Sequence, residues 1–569
     1  MTTSAGSRLQ PAVSGSVRRL EGRDAQSTNV AAGRALAAVV RTTLGPKGLD
    51  KMLVGDGKVI VTNDGASVLD RIDVDHPAAQ LLVDVASEQD ARAGDGTTTA
   101  VVLAGALLDE AERLLERGLH PTTITDGYQQ AAQRAVGTLE RDAVVVDVDD
   151  PARLREIART VITGKWDADA TDFLAGLAVD AVTAIEREGL VDFERIARKT
   201  ASSGSVRDSA VLEGLLIDME SSSTDVVSPD PGPPRRIEDA TVALVDDQLT
   251  IETASGQGAV QVDTPEQLEQ FREYEADVYA GQVERIVDAG ADVVFCQKSI
   301  DDPVRHLLAR EGVLAVERTR QDELHKLARA TGASPVATVS DLTTRATGRA
   351  GVVERRPVGP RQMTFVTDCP DVEQVSVLLR GGTEHVVEET KRVIDDCFYV
   401  LKHAIEGGTV VPGAGATEVH LAGELRSAAA GEPSRRQLAI EAFADALETI
   451  PRTLAATAGH DPVDSLLELR ARHHDGETTA GLVLETGAIE DAISRGVLEP
   501  LSVKRHAIES AAEAATVLVR VDDVIAASTA GGHDDGEGHD HDHGHGPGDL
   551  VRSTEGYPWA VGHSMSHDH

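Results

Sequence analysis

Aromatic side chains make up only 2% of the 569 residues, so any hydrophobic core has to be filled by Ala, Val, Leu and Ile, and small aliphatic helices are expected to predominate. Cysteine is scarce as well. Cys296, Cys369 and Cys397 stand far apart and form no CxxC pair, which argues against a disulfide framework or a zinc knuckle and reads as buried thiols in a reducing compartment. No uncharged apolar run approaches membrane-spanning length, and the N-terminal Met-Thr-Thr-Ser-Ala-Gly-Ser lacks a basic region followed by an apolar stretch. No membrane partner and a cytoplasmic location are therefore expected. Positive charge is in deficit: 55 Lys and Arg face 95 Asp and Glu, for a net charge of -40. Like charges repel at long range, so nucleic acid is excluded as a partner. The bases are mostly Arg, and an acidic, Lys-poor surface suits a salt-rich cytoplasm, where the Debye length shrinks to about 3 Å. An acidic protein of ordinary cytoplasm has the same formal charge, because net charge speaks to solubility and not to fold.

What is present is organised in blocks. The length calls for two to four domains. Helical spacing from Asp24 to Thr43 stops at Leu44-Gly45-Pro46-Lys47-Gly48; the β-branched Lys58–Thr62 follows, then a turn at Asn63-Asp64-Gly65. A second helix (Ala79 to Gln89) ends at Gly94, and a third carries Leu103, Leu107, Ala111 and Leu114 on one face. Between about Ala240 and Ala337 the texture changes to strands at Thr241–Val245, Asp292–Cys296 and Val313–Val316 alternating with helices, which predicts a separate α/β domain. Inserted there, Thr264-Pro265-Glu266-Gln267 combines a cap, an N1 proline and a capping-box glutamine, and its helix is expected to reach Asp288, roughly 35 Å long. A strand at Val375–Leu379 precedes a helix from Gly382 to Glu406, and after Ser528 the composition collapses to Gly, His and Asp.

Gly94-Asp95-Gly96-Thr97-Thr98-Thr99 opens a helix, where unpaired N–H groups and the positive dipole end attract an anion; a Gly-rich helix start is equally a plain cap. The chain has no G-x-x-x-x-G-K-[ST], so ATP, if bound, is held by something other than a P-loop. In the helix after Gly382 an apolar stripe centres on Cys397. Asp396 borders the stripe while Asp395 points almost opposite and reads as a solvated charge.

Arg23-Asp-Ala-Gln26, the run Arg41 to Met52, Val61-Thr-Asn-Asp-Gly65, Gly94 to Gly105, Arg380-Gly-Gly-Thr-Glu384, Thr409-Val-Val-Pro-Gly413 and Arg520-Val-Asp-Asp-Val-Ile525 together resemble the group II chaperonins, the archaeal thermosome family, from about residue 20 to 528. The resemblance, read with the acidic composition, points to a haloarchaeal member. It implies a multidomain α+β chain: a mainly helical equatorial domain (1–148 and 407–528), a small α/β intermediate domain (149–217 and 370–406), and an α/β apical domain (218–369) with a helical protrusion at about 248–283 acting as a built-in lid. Residues 529–569 would be a disordered tail. The alternative for the inserted helix is a surface helix packed on its own domain.

By the same resemblance, Thr43, Leu44, Gly45 and Pro46 form a nucleotide loop; Gly94, Gly96, Thr97, Thr98 and Thr99 hold phosphate, Asp95 holds Mg²⁺, and Gly413, Ala414 and Gly415 form a second nucleotide loop. Asp396 matches the catalytic aspartate, Asp64 the second aspartate near the attacking water, and Lys165 a γ-phosphate sensor. Two positions depart from the pattern. Ala414 replaces a glycine, a cost if its φ is positive, and Ser494 stands where an acid near the ribose is usual. The implied function is ATP-dependent encapsulation and folding of non-native polypeptides by a double ring, homo-oligomeric or built with paralogous subunits. A second reading is a mainly structural, weakly hydrolysing subunit of a mixed ring. A third is a metal carrier built on His533, His539-Asp-His-Asp-His-Gly-His545, His563, His567 and His569, whose imidazoles and carboxylates offer ligands to Zn²⁺, Ni²⁺ or Cu²⁺; it leaves some 500 residues unexplained.

Overall fold

A computed structural model of the chain describes residues 18–55, 58–148, 150–219, 236–250, 264–370 and 374–526. It comprises two compact units, Leu20–Val524 and a unit of both termini, Met1–Arg19 with Ile525–His569. Of the latter, only 18–19 and 525–526 are described, within strands β1 (Arg18–Glu21) and β17 (Asp523–Ala526). The His-rich tail expected at 529–569 and the stretch 251–263 of the expected protrusion lie outside the described residues. All that follows concerns Leu20–Val524.

Both ends of this unit build one helical core. From the N-terminal side come α1 (Arg23–Arg41), the hairpin β2 (Lys51–Gly55) and β3 (Lys58–Thr62), α2 (Gly65–Asp70), α3 (Pro77–Ala93), α4 (Thr97–Glu116), α5 (Pro121–Asp142) and β4 (Val144–Val145). The second helix is longer than its apolar pattern, because Pro77 at N1 and the His76 ring, which accepts from the Ala78 N–H at 3.2 Å, start it early and Gly94 in the left-handed region stops it late. The Asn63-Asp64-Gly65 turn is a helix start: the Asp64 carboxylate caps α2, accepting from the Ser67 N–H at 2.8 Å.

Leu103, Leu107, Ala111 and Leu114 of α4 are all buried in this core, among aliphatic residues from both chain ends. Close helix approach replaces aromatic bulk. At Gly105 of α4 a side chain would collide with Ala37 of α1, and an edge-on ring pair in this core, Tyr128 with Phe443, has the Tyr128 hydroxyl donating to the Leu107 carbonyl at 2.8 Å.

A second core packs α6 (Pro151–Ile162), α7 (Ala168–Ile185) and the later helix α11 (Glu384–Gly407) against a sheet. That sheet has eight strands in the order β5-β12-β6-β11-β10-β7-β8-β9. In chain order they are β5 (Ile196–Ala201), β6 (Ala210–Met219), β7 (Arg236–Val245), β8 (Val293–Cys296), β9 (Leu314–Val316), β10 (Gly348–Val358), β11 (Arg361–Thr367) and β12 (Val375–Arg380). The strand-helix alternation of the sequence is the parallel edge β7-β8-β9, with crossovers through α8 (Pro265–Asp288) and α9 (Asp302–Arg310). It is not a sheet of its own: β6 bonds to β12 on one side and β11 on the other, so the ladder runs through the boundaries expected near 217 and 370. Two further aliphatic cores cover the faces at this end, one receiving α10 (Gln321–Thr331) and the other the C-terminal turns of α8.

The expected cap of α8 forms, the Thr264 hydroxyl accepting from the Gln267 N–H at 3.3 Å. Val283 and Ile286 are buried, but nearer the N-terminus Phe271 is 37% and Tyr274 61% exposed, so the first half of α8 is not packed on its own domain within the described residues.

The chain then returns through α11 (Glu384–Gly407) and β13 (Thr409–Pro412) to the helical core with α12 (Ala416–Ala429), α13 (Arg436–Leu447), α14 (Thr449–Thr457), α15 (Pro462–His474), the hairpin β14 (Ala480–Leu482) and β15 (Ile489–Asp491), β16 (Leu498–Pro500) and α16 (Leu501–Arg520). Cys296, Cys369 and Cys397 are buried free thiols, in three different cores. Among the described residues no helix is long and apolar enough to cross a membrane.

Candidate functional site

Two helices of the first core, α4 and α12, begin in the same way. Each has a glycine in the left-handed region at its N-cap, Gly96 (φ 78°) and Gly415 (φ 77°), and neither has a side chain capping its first N–H groups. The positive ends of two dipoles therefore open onto one space, with unsatisfied donors at the α4 start, whereas the Ala416 N–H of α12 is taken by the Gly413 carbonyl at 3.0 Å. That space is a cavity of roughly 530 Å³. Its wall includes Thr43, Leu44, Gly45, Pro46, Asp64, Gly94, Asp95, Gly96, Thr97, Thr98, Thr99, Lys165, Asp396, Ala414 and Gly415. Residues separated by more than 300 positions in sequence are thus brought together. Gly413 stands just behind the wall, its N–H donating to the Val497 carbonyl at 2.9 Å. Ser494 is not part of the wall: it donates to Asp491 at 2.6 Å, and its neighbours Glu490, Arg495 and Gly496 line the cavity instead.

Local geometry explains the convergence. Gly164 (φ 90°) lies so close to the first loop that a side chain there would strike the Pro46 carbonyl, which locks the Thr163-Gly164-Lys165 turn against Thr43–Pro46. The Gln89 side chain donates to the Asp95 carbonyl at 2.7 Å, and the Asp95 carboxylate accepts from the Gly96 N–H at 2.6 Å, fixing the turn between α3 and α4. Ala414 has φ 57°, the conformation in which alanine is strained; its carbonyl accepts from the Leu482 N–H at 3.0 Å, which holds it there.

The charged groups are tuned in opposite directions. Asp396, on α11, sits 3.5 Å from the Lys165 ammonium with about a fifth of its side chain still exposed. Burial dominates and pushes its carboxyl up to about 8; Lys165 and Arg392 pull it down, and the Asp64 and Asp95 carboxylates push it further up. For Asp64 burial is again the largest single influence, but hydrogen bonds from Ser67 and the Arg392 and Lys165 cations overcome it and hold the carboxyl below its usual range. Arg392 is 3.1 Å from Asp64 and also donates to the Thr62 hydroxyl at 2.8 Å. Burial would depress the Lys165 ammonium, yet Asp396, Glu389, Asp64 and Asp95 raise it, so it stays a cation. One proton-seeking carboxyl, one firmly ionised carboxylate and one cation therefore share a space lined by helix starts.

Asp395 is not a solvated charge. Its carboxylate accepts from Arg198 at 2.7 Å, while the adjacent Asp396 faces Lys165. The sequence reading also missed an ion triad in the wall: the buried Lys504, 5% exposed, lies 2.6 Å from both the buried Glu418 and the partly exposed Glu499. Burial would lower its ammonium, but the two carboxylates raise it instead. Among the described residues the second oxygen of Glu418 has no hydrogen-bond partner. Lys504 and Glu418 look like ordinary helix-surface residues in sequence, and only their long-range pairing marks them.

The TCP-1/cpn60 chaperonin family matches this chain over residues 36–529, and the chain belongs to that family. It is a chaperone subunit of the group II kind. The thermosome subunit alpha of Halobacterium salinarum is 46% identical over 91% of this chain and 92% of its own length. The thermosome subunit of Methanopyrus kandleri is 47% identical over 90% and 93%, and thermosome subunit 1 of Haloferax volcanii 46% identical over 91% and 92%.

Proposed function

We propose that the 530 Å³ cavity binds ATP with Mg²⁺ and hydrolyses it to drive the folding cycle of a cytoplasmic double ring. The observation that carries this reading is the meeting of two side-chain-uncapped helix starts with Asp64, Asp95, Asp396 and Lys165 in one space. The α4 N–H groups and Thr97–Thr99 hydroxyls suit phosphate oxygens. Leu44, Ile450, Leu454 and Leu484 offer an apolar surface to the base. The donor set fits magnesium: Asp95 brings a hard carboxylate oxygen beside three hydroxyls. Among the described residues no cluster of three or more His, Cys, Asp or Glu forms a cage, so Asp95 would share the ion with the phosphates. Bound there, magnesium would neutralise phosphate charge.

Asp396, whose carboxyl titrates near working pH, takes the proton of the attacking water, which Asp64 orients by accepting a hydrogen bond. Lys165 places positive charge on the transferred phosphoryl group. We read the first core as an equatorial domain (1–148, 407–528), the second as an intermediate domain (149–217, 370–406) and the two further cores as an apical domain (218–369), and the exposed Phe271 and Tyr274 of α8 support a lid role for the protrusion. The hairpin β2–β3 exposes Met52, Val54, Val59 and Val61, paired across its strands, an apolar face suited to an adjoining subunit of the same or a paralogous kind. Clients are non-native polypeptides.

The strained Ala414 favours a second reading, a mainly structural subunit that hydrolyses weakly beside more active paralogues. ATP hydrolysis and refolding of a denatured client in molar KCl with magnesium, natural sequence against Asp396→Ala, decide between them. Turnover and refolding by the natural protein alone support the ATPase; intact rings without turnover move the structural reading ahead.

A further inference from the structure

A second cavity, of about 310 Å³, lies where β5 and β6 meet α10 and α11. Its size is at the lower end for small-molecule sites, about 300–1,000 Å³. Its wall carries Arg198, Lys199, Arg320, Lys326 and Lys391 against three carboxylates, Asp322, Glu323 and Asp395. Three of the chain's ten lysines are here, in a protein whose net charge is -40. The carboxylates are already taken: Lys199 pairs with the buried Glu323, Arg198 with Asp395 at 2.7 Å, and Arg320 with Asp322 at 2.9 Å. Lys326 and Lys391 have no ion-pair partner among the described residues, and both are half-buried. Burial and the neighbouring Lys199 and Arg198 cations hold the Lys326 ammonium below its usual range despite Asp322, so the wall repels itself.

We propose that this cavity is a binding site for a small anion carrying two or more phosphate groups. A single carboxylate would answer one of the two free ammonium groups; closely spaced phosphates answer both and share the Arg198 guanidinium, whose donors suit phosphate oxygens. Binding does not depend on the nucleotide reading. One consequence does: Asp395 and Asp396 are adjacent on α11, and an anion that draws Arg198 from Asp395 changes what holds the helix carrying Asp396.

The test uses the full assembled protein saturated with Mg·ADP, so that the first cavity is filled, at one fixed KCl concentration. Inorganic tripolyphosphate and fructose 1,6-bisphosphate are titrated calorimetrically as the inorganic and organic forms of the ligand class. One saturable site per subunit is expected for at least one probe, weakened at least tenfold in Lys326→Gln/Lys391→Gln and retained in Lys326→Arg/Lys391→Arg, which also shows that the variants fold. No saturable heat with either probe, or equal binding by the Gln variant, overturns the site. Failure of ADP to bind would sink the nucleotide reading alone, since dependence on Lys326 and Lys391 reports the second cavity by itself. The probe that binds is expected to change ATP turnover at least twofold in the natural sequence and not in the Gln variant; unchanged turnover overturns the coupling through α11.

Discussion

In the larger cavity backbone donors at a glycine-capped helix start stand beside paired charged side chains, whereas the smaller one is walled by lysine and arginine side chains drawn from one strand and the neighbourhood of two helices. The first presents fixed dipoles whose positions are set by hydrogen-bonded turns, and its charges are mutually committed: Lys165 to Asp396, Arg392 to Asp64, Lys504 to two glutamates. The second leaves two ammonium groups uncommitted. A site built on backbone donors is rigid and costs little to hold ready; a site built on like charges stores repulsion that a ligand relieves.

The neighbours Asp395 and Asp396, one serving each cavity, give the sharpest test of this contrast. Asp396→Ala is expected to lower ATP turnover by about 10²–10⁴-fold while ATP still binds. Asp395→Ala removes only a partly exposed pair, worth about 0–1 kcal/mol, and should leave turnover within about fivefold. Steady-state hydrolysis of both variants checks this, and equal losses would erase the distinction between the two faces of α11.

The lysines provide the next test, read by denaturant midpoints. Lys504→Met strands Glu418 and Glu499 as unpaired carboxylates and should destabilise by about 3–5 kcal/mol. Lys326→Met relieves repulsion and should be neutral or stabilising, within about 0.5 kcal/mol.

Proton linkage is smaller and has a definite sign. The Asp396 carboxyl is raised from 3.8 to about 8 on folding, so its contribution to stability is complete below 3.8 and is lost as pH rises through about 8. Activity runs the other way, because the base must be ionised: kcat/KM for ATP should climb with pH and level off above about 8. Lys165→Met removes the cation that lowers this carboxyl and should move the midpoint upward; a profile flat from pH 6 to 9 would contradict the role given to Asp396. The smallest effect is expected of Ala414→Gly, which relieves the positive φ but gains unfolded-chain entropy, for a net stabilisation of at most about 1 kcal/mol. A lowered Tm would show that the loop is not strained.

The contrast also explains what was legible in the sequence. Backbone-built features leave local signatures: the glycines at 94 and 96 and the cap at Thr264 could be anticipated from a few adjacent residues, whereas the positive φ at Ala414 was raised only by the family resemblance. Apolar spacing located α1, α4 and α11 because a packed face repeats every turn, and capping residues located α8. Side-chain constellations leave no such trace. Lys504 meets Glu418 across 86 positions and Arg198 meets Asp395 across 197, with nothing local to announce either. The continuous sheet left no such signature either: β6 joins β12 to β11, strands expected in different domains, and ladder bonds depend on partners far along the chain.

The three cysteines turn their scarcity into an instrument. Burial pushes the Cys296 thiol up to about 12 and Cys369 to about 11, and holds Cys397 well above its usual range, so none is a thiolate nucleophile while its surroundings stay closed. Each belongs to a different core. Alkylation of each is therefore gated by opening of its own region, and the order in which an alkylating reagent labels Cys397, Cys369 and Cys296 during the nucleotide cycle would time the loosening of the three regions in the unmodified protein.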